Sequence, residues 1–209
     1  MEVLKNYING EWVKSSSTET IEVLNPANQA VLAKVPYGSA TAIDVATACE
    51  TAYTAQKQWS RVPVMKRVQV LYQLKSLFEA NREVIAKTIT DESGKTRDES
   101  FGEIQRAIEN IEVACGTPML MAGDVIEDIA TGVDEMMIRQ SIGVAACITP
   151  FNFPSMIVFW FLPYAIATGN AFIVKPSEVN CQYCIGSPSP LRCHLNLPCL
   201  SGYCASKAS

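Results

Sequence analysis

The chain has 209 residues, a formal net charge of −4, 48% apolar residues and 18% charged residues. This balance excludes a disordered, collagen-like or coiled-coil chain, and the mild acidity gives no electrostatic reason to expect nucleic acid as a partner. The length allows one or two domains. The first residues show neither a secretory leader nor an Arg-rich transit sequence, so we expect a cytoplasmic protein, or a mitochondrial matrix protein if a presequence is missing.

The first part of the sequence predicts a β-start followed by several helices. Asn9-Gly10 separates two short apolar runs and favours a tight hairpin. Two more strands are expected on either side of a turn at Asn25-Pro26. Four helices follow, each with an apolar stripe or an end signal. Ser39 is expected to cap the first helix, over 40–58, and Pro63 to lie near the first turn of the second, whose buried residues are Val68, Leu71, Leu74 and Phe78. The third helix carries Val84, Ile85 and Ile89 and is expected to end at Gly94. The fourth, over 98–115, has a stripe formed by Ile104, Ile108, Ile111 and Cys115.

The pattern changes after residue 134. Residues 134–141 are expected to form a strand, and two short uncharged apolar runs at 143–150 and 171–177 flank a helix at about 154–168. This order predicts a βαβ unit whose parallel strands are buried on both faces. A right-handed crossover is expected between them.

The stretch from Ser141 to Val174 has no charged residue, so a membrane span is the alternative interpretation. It is long enough, since a bilayer crossing needs about 20 apolar residues. Prolines, asparagines and a glycine interrupt it, and lipid offers no partner for the backbone groups that such breaks expose. We therefore favour the βαβ unit.

The segment ITPFNFPSM (148–156) follows the first parallel strand, where open α/β sheets bind ligands. Two prolines restrict the backbone on either side of Asn152. A rigidly held amide NH2 at this place can donate to an oxygen that gains charge during acyl chemistry. The alternative is a turn-forming Asn that only caps the next helix, and spacing alone favours that alternative.

Together with IATGNAFIVKPSE (166–178), this segment resembles the aldehyde dehydrogenase superfamily, and NYINGEWV, NPA, VPY and ESGKT support the resemblance. The strings EIQRAIENIEVACG and GVAACITPFNFPSM are most similar to the CoA-acylating, methylmalonate-semialdehyde dehydrogenase branch. The resemblance runs from about residue 5 to Glu178 and covers less than half of a family member. It implies an α/β fold: a β-hairpin start, helices, and the first βαβ of a doubly wound, Rossmann-like NAD-binding domain.

The resemblance also implies roles for individual residues. Asn152 would supply the side-chain half of an oxyanion hole facing a catalytic cysteine. Thr149 and Phe151 would line the nicotinamide side of the cofactor groove. Lys175 and Glu178 would bind the adenosine ribose hydroxyls, and a carboxylate there favours NAD over NADP. Without the motif, Lys175 and Glu178 would be interpreted as a solvated strand end.

Arg106 lies opposite the apolar stripe of the fourth helix, so the simple interpretation is a solvent-facing arginine. The resemblance implies instead a residue that binds the carboxylate of the aldehyde substrate, for which a guanidinium fork is suited. A second arginine of the family's clamp is not recognisable here.

No cysteine in the sequence lies in the family's nucleophile motif. Cys49 and Cys115 fit helical patterns and are expected as small core residues, and Cys147 lies on the buried strand. We therefore expect this chain to be inactive alone, as a truncated part of an enzyme that oxidises an aldehyde through a cysteine thioester and passes the acyl group to CoA. A parallel sheet that stops after its second strand would leave an apolar edge unpaired.

The last 29 residues differ in composition from the rest. They contain two basic residues, no acidic residue, the only histidine and five of the eight cysteines. The metal-capable residues are Cys181, Cys184, Cys193, His194, Cys199 and Cys204. The spacing of the first pair permits zinc, but the later spacings fit no common module. An aberrant, disordered tail is the simpler interpretation.

The predicted organisation has four parts: an N-terminal region (1–134), part of an oligomerisation β-extension (135–141), the βαβ unit (142–180) and the tail (181–209). Three functions are compatible with it. In the first, the chain is part of an acylating semialdehyde dehydrogenase that forms homo-oligomers when complete. Alternatively, it is a non-catalytic product that binds nucleotide weakly or pairs with a full-length subunit, or a zinc or thiol protein.

Overall fold

The computed structural model describes residues 3–37, 41–179 and 200–202. The strands within these ranges are β1 (Asn6–Ile8), β2 (Glu11–Val13), β3 (Glu19–Leu24), β4 (Val31–Tyr37), β5 (Val125–Ala130), β6 (Val133–Met136), β7 (Val144–Ile148), β8 (Ala171–Lys175) and β9 (Leu200–Gly202). The helices are α1 (Thr41–Trp59), α2 (Val64–Ala80), α3 (Arg82–Ser93), α4 (Arg97–Cys115), α5 (Thr117–Leu120) and α6 (Met156–Ala167). The predicted order of β-start, helices and βαβ unit is confirmed.

Strands β1 and β2 form the predicted hairpin. Asn9 and Gly10 have φ angles of 52° and 82°, as a two-residue turn between twisted strands requires. Strands β3 and β4 pair antiparallel around the Asn25-Pro26 turn, where the Asn25 side chain accepts from the N–H of Ala27 at 2.9 Å. Ser39, the expected cap of α1, lies outside the described residues.

The helical core follows the predicted stripes. The buried members are Val68, Leu71, Leu74 and Phe78 of α2, Ile85 and Ile89 of α3, and Ile104, Ile108, Ile111 and Cys115 of α4. The core position predicted for Val84 is wrong, since this side chain is 57% exposed. It precedes Ile85 by one residue and so lies about 100° round the helix from it. Gly94 ends α3 at a φ of 71°, as predicted.

The βαβ unit is present. Strands β7 and β8 pair in parallel with α6 between them, in a five-stranded sheet of order β2-β1-β9-β8-β7. Strand β8 has a neighbour on both sides and is buried, as expected. Burial of both faces is wrong for β7, where Ile148 is 77% exposed, because β7 forms the edge of this sheet in the described part.

Strand β9 comes from the tail. It pairs in parallel with β8 from Phe172 to Val174 and meets β1 at Tyr7. The expectation of a disordered tail is therefore wrong for residues 200–202, and the edge of β8 is not left unpaired. The apolar period of a sequence carries no signal for a three-residue strand held by backbone hydrogen bonds. The rest of the tail, including its candidate zinc ligands, lies outside the described residues.

Strands β5 and β6 form a separate hairpin in which every residue is exposed. The strand predicted over residues 134–141 is correct only for its first part, since β6 ends at Met136. Strand β5 was not predicted. Among the described helices, none has the length and apolarity that crossing a membrane requires.

Candidate functional site

The ends of β7 and β8 bring two polar segments to one edge of the large sheet. Ile148 lies opposite Lys175 in the register, and the N–H of Thr149 donates to the Lys175 carbonyl at 3.0 Å. The carboxyl ends of parallel strands meet at the same edge, which is where open α/β sheets bind ligands. The segment after β7, with Asn152, therefore lies beside the segment after β8, with Glu178.

Asn152 is exposed and lines a cleft of about 440 Å³ together with Phe151 and Glu178. The remaining lining residues come from β3 and the turn after it, the end of α3 and the segments that follow α3 and β8. They are Ile21, Glu22, Leu24, Pro26, Gln29, Glu92, Ser93, Lys95 and Val179. The structure thus brings three of the predicted site residues into one cleft, and Asn152 is not part of the hydrophobic interior.

Glu178 carries the negative charge at the end of β8. Its carboxylate lies 3.2 Å from the Lys175 Nζ. The pKa of Glu178 is below its usual value mainly because its own backbone N–H donates to the carboxylate; Lys175 adds to this effect and partial burial opposes it. Glu178 is therefore ionised at neutral pH and can accept hydrogen bonds from sugar hydroxyls, as a carboxylate does in dinucleotide-binding units.

Thr149 differs from its neighbours because it is buried, with 5% of its surface exposed, and it is not among the residues that line the cleft. Its Oγ1 has no hydrogen-bond partner within the described part of the chain. A buried hydroxyl without a partner calls for an explanation, such as a ligand or water that completes the site. Because Thr149 does not line the cleft, the groups that fit a bound nucleotide there are the charged Glu178, which lines it, and its ion-pair partner Lys175.

The start of α6 is held by a side chain of another helix. Glu103 of α4 is 2% exposed, and its Oε1 accepts from the N–H of Ser155 at 2.7 Å and of Met156 at 3.0 Å. In many dinucleotide-binding βαβ units a phosphate receives the N–H groups of the first helix. Here Glu103 receives them, so we expect a nucleotide to use other contacts in this protein.

The Glu103 carboxylate also has a cationic partner, because its Oε2 lies 2.5 Å from the Lys95 Nζ. This ammonium lies 4.2 Å from the centroid of the Phe153 ring. Neither Glu103 nor Lys95 was predicted from the sequence as part of the site. The available signal was the position of Glu103 directly beside Ile104 in the apolar stripe, where a carboxylate needs buried partners.

Arg106 is exposed on α4 and is not among the residues that line the Asn152 cleft. It follows Glu103 by three residues, so the two side chains are neighbours on the helix surface. The structure therefore confirms the solvent-facing geometry predicted for Arg106 and does not bring it into the cleft.

The described cysteines do not line the cleft. Cys115 and Cys147 are buried, and burial raises the pKa of both thiols, which disfavours the reactive thiolate. Cys49 is exposed, so its expected place in the core is wrong: α1 turns that position away from the packed side. Within the ranges that the structure describes, no group of three or more His, Cys, Asp or Glu side chains is placed to hold a metal ion.

Comparison with known proteins defines the class to which this fold and site belong. The aldehyde dehydrogenase family model matches residues 12–185. The chain belongs to the aldehyde dehydrogenase family, and the structure covers the N-terminal part of the fold of that family.

Curated relatives that are similar to this chain include semialdehyde dehydrogenases. Malonate-semialdehyde dehydrogenase 2 of Bacillus cereus is 48% identical over 177 residues, which cover 85% of this chain and 36% of the relative. Malonate-semialdehyde dehydrogenase 1 of Geobacillus kaustophilus is 47% identical over 84% of this chain and 36% of its own length. The chain thus spans about a third of the length of these relatives.

Solved structures of semialdehyde dehydrogenases also match the fold of this chain. The methylmalonate-semialdehyde dehydrogenase of Oceanimonas doudoroffii matches with a TM-score of 0.92 and 34% identity, covering 99% of this chain and 42% of its own. A Sinorhizobium meliloti structure assigned to the same enzyme and complexed with NAD matches with a TM-score of 0.90 and 34% identity, over 99% of this chain and 42% of its own.

Proposed function

We propose that this chain forms the cofactor-binding and oxyanion-stabilising part of an NAD-dependent, CoA-acylating semialdehyde dehydrogenase. The observation that carries the proposal is the meeting of Asn152 and Glu178 in one cleft at the carboxyl ends of adjacent parallel strands. The semialdehyde dehydrogenases among the relatives support the substrate class, and the NAD complex of a similar structure supports the cofactor.

The residues at this sheet edge divide into two roles. The Asn152 amide donates to the aldehyde oxygen as it gains charge, which is where a fixed donor accelerates acyl chemistry most. Phe151 faces the nicotinamide from the cleft and Thr149 supports that side from its buried position, while Lys175 and Glu178 hold the adenosine ribose. Bound NAD supplies the hydride acceptor of the reaction. Glu178 accepts from a 2′-hydroxyl and repels a 2′-phosphate, which favours NAD over NADP.

Arg106 is proposed to bind the carboxylate of the semialdehyde, although it lies outside the cleft described above. Its exposed guanidinium can form the two parallel hydrogen bonds that a carboxylate accepts. The nucleophilic cysteine and the transfer to CoA belong to parts of the enzyme that the described residues do not supply. We infer that this polypeptide alone is inactive, and a cytoplasmic location stays a prediction.

A second candidate is a non-catalytic role in which the chain pairs with a complete subunit or with itself. The β5–β6 hairpin favours it, because a two-stranded hairpin that exposes apolar side chains on all sides is not independently stable in water. Pairing through this hairpin is compatible with the first proposal, since complete family members would use the same surface.

Replacing Glu178 with Gln tests the cofactor assignment. Gln keeps the length of the side chain but loses the charge that favours the ribose hydroxyls and repels a 2′-phosphate. We expect NAD affinity to fall about tenfold, as for loss of a hydrogen bond to a charged group, and the preference for NAD over NADP to narrow. Calorimetric titration of both nucleotides into the wild-type chain and the variant measures this.

Glu50→Gln is the matched control, since Glu50 is an exposed carboxylate on α1. It should leave both affinities unchanged. If the wild-type chain bound neither nucleotide, or if Glu178→Gln and Glu50→Gln behaved alike, the assignment of Glu178 would be wrong.

A further inference from the structure

The Glu103 carboxylate is buried and fully engaged. Its side chain is 1% exposed, and it accepts from two backbone N–H groups and the Lys95 ammonium, whose side chain is 18% exposed. A buried ion is tolerated only when such partners replace water. These three partners fix the orientation of the Glu103 carboxylate, which a solvent-exposed side chain would lack.

Helix α6 depends on this carboxylate for its start. Ser155 precedes the helix but makes no capping hydrogen bond with its own side chain. The first N–H groups of a helix have no partner within it and need an acceptor from elsewhere. Glu103 provides that acceptor from α4, 52 positions earlier in the sequence.

Asn152 lies on the short loop that this contact anchors. Two residues, Phe153 and Pro154, separate Asn152 from Ser155, and Lys95 contacts the Phe153 ring. The other end of the loop is fixed where Thr149 donates to the carbonyl of β8. The loop is thus held at both ends, and its exposed middle lines the cleft.

We propose that Glu103, with Lys95 as its counter-ion, is the positioning residue that sets where Asn152 stands in the cleft. Only the chemical use of the Asn152 amide rests on the proposed function; the positioning itself does not. Glu103 is not among the residues that line the cleft, and it acts through the start of α6. Through Lys95 and the N–H groups of Ser155 and Met156, Glu103 of α4 joins the segment after α3 to the end of the loop that follows β7.

Nuclear magnetic resonance of the full chain tests this inference through the side-chain NH2 signals of Asn152 and the exchange of the Ser155 and Met156 amide hydrogens. Glu103→Ala is expected to displace the Asn152 signals and to accelerate exchange at both amides about tenfold or more, since their acceptor is lost. Glu103→Gln keeps a neutral acceptor, so smaller changes in the same direction are expected.

Glu109→Ala is the control, because Glu109 is an exposed carboxylate on the same helix. It should leave the Asn152 signals and both amides as in the wild type. Unchanged Asn152 signals in a folded Glu103→Ala variant would overturn the proposal. If Glu103→Ala does not fold, Glu103→Gln decides the question: displaced signals support the proposal, and wild-type signals overturn it.

NAD titration of the same samples separates this inference from the proposed function. A wild-type chain that fails to bind NAD while Glu103→Ala still displaces the Asn152 signals would refute the cofactor role alone. Binding of NAD with unmoved Asn152 signals in Glu103→Ala would refute the positioning role alone.

Discussion

The proposed function assigns Asn152 to an oxyanion hole, but the described cysteines do not line the cleft that Asn152 lines. Cys115 and Cys147 are buried, and their thiol pKa values are raised by that burial. Cys49 is exposed on α1 and is not a cleft residue. A stabilised oxyanion without a thiolate to form it gives no turnover, because the nucleophile and the amide act as a unit.

The chain alone, supplied with malonate semialdehyde, NAD and CoA, is therefore expected to form no NADH above the rate without protein. The absorbance of NADH measures this, and Asn152→Ala should give the same trace as the wild type. NADH formation that a thiol-blocking reagent abolishes would contradict the prediction, since a cysteine of this chain would then have to reach the cleft.

Individual residues differ in how far the sequence predicts them. Asn152 and Glu178 follow recognisable strands and match a family motif, so their meeting at one sheet edge was predictable. Glu103 was not, because its partners at the start of α6 are distant in sequence and are backbone groups. Val84 and Cys49 were misplaced because neighbouring apolar residues leave the exact edge of a helix stripe undetermined.

The β5–β6 hairpin is the element with the largest unexplained apolar exposure. Its exposed apolar side chains, with relative exposures between 50% and 66%, are Val125, Ile126, Ile129, Val133 and Met136. Exposed apolar residues concentrated on one projecting element mark an interaction surface. We expect a second copy of the chain to cover this hairpin.

Ile126→Lys tests that expectation without breaking the hairpin, because residue 126 lies opposite Glu135 and the new pair has opposite charges. Burying Ile126 at an interface would contribute about 1.5–3 kcal/mol, so self-association should weaken at least about tenfold. Sedimentation velocity over a range of concentrations measures it. Val113→Lys on α4, another exposed apolar position, is the control.

The hairpin prediction fails if the wild-type chain is monomeric at every concentration, or if Ile126→Lys associates as strongly as the wild type. The control also has a defined outcome, since Val113→Lys should associate like the wild type.

The large sheet joins parts of the molecule that are far apart in sequence. Strand β9 connects the N-terminal hairpin to the βαβ unit by pairing with β1 on one side and β8 on the other. The family model ends at residue 185, whereas the structural match to the Oceanimonas doudoroffii enzyme covers 99% of this chain. The composition of the tail gave no sign of this strand, because backbone pairing requires no side-chain pattern.

For the whole chain, local signals predicted the elements well where a turn residue, helix stripe or uncharged strand marks them. They failed where an element depends on partners outside its own segment. Burial of both faces of β7 is the clearest case, since only the sheet order shows that β7 is an edge. The same holds for the hairpin, whose exposed strands lack the alternation that marks a buried face.

We propose that the sheet edge carrying Asn152 and Glu178 is a nucleotide site. Mapping the amide chemical shifts of the full chain during NAD titration tests it most directly. We expect saturable shifts at Thr149–Asn152 and Lys175–Glu178, with none along the exposed groove of α2 near Tyr72 and Ser76. If no amide shifted at saturating NAD, or if the shifted amides lay away from this sheet edge, the nucleotide site would not be at Asn152 and Glu178.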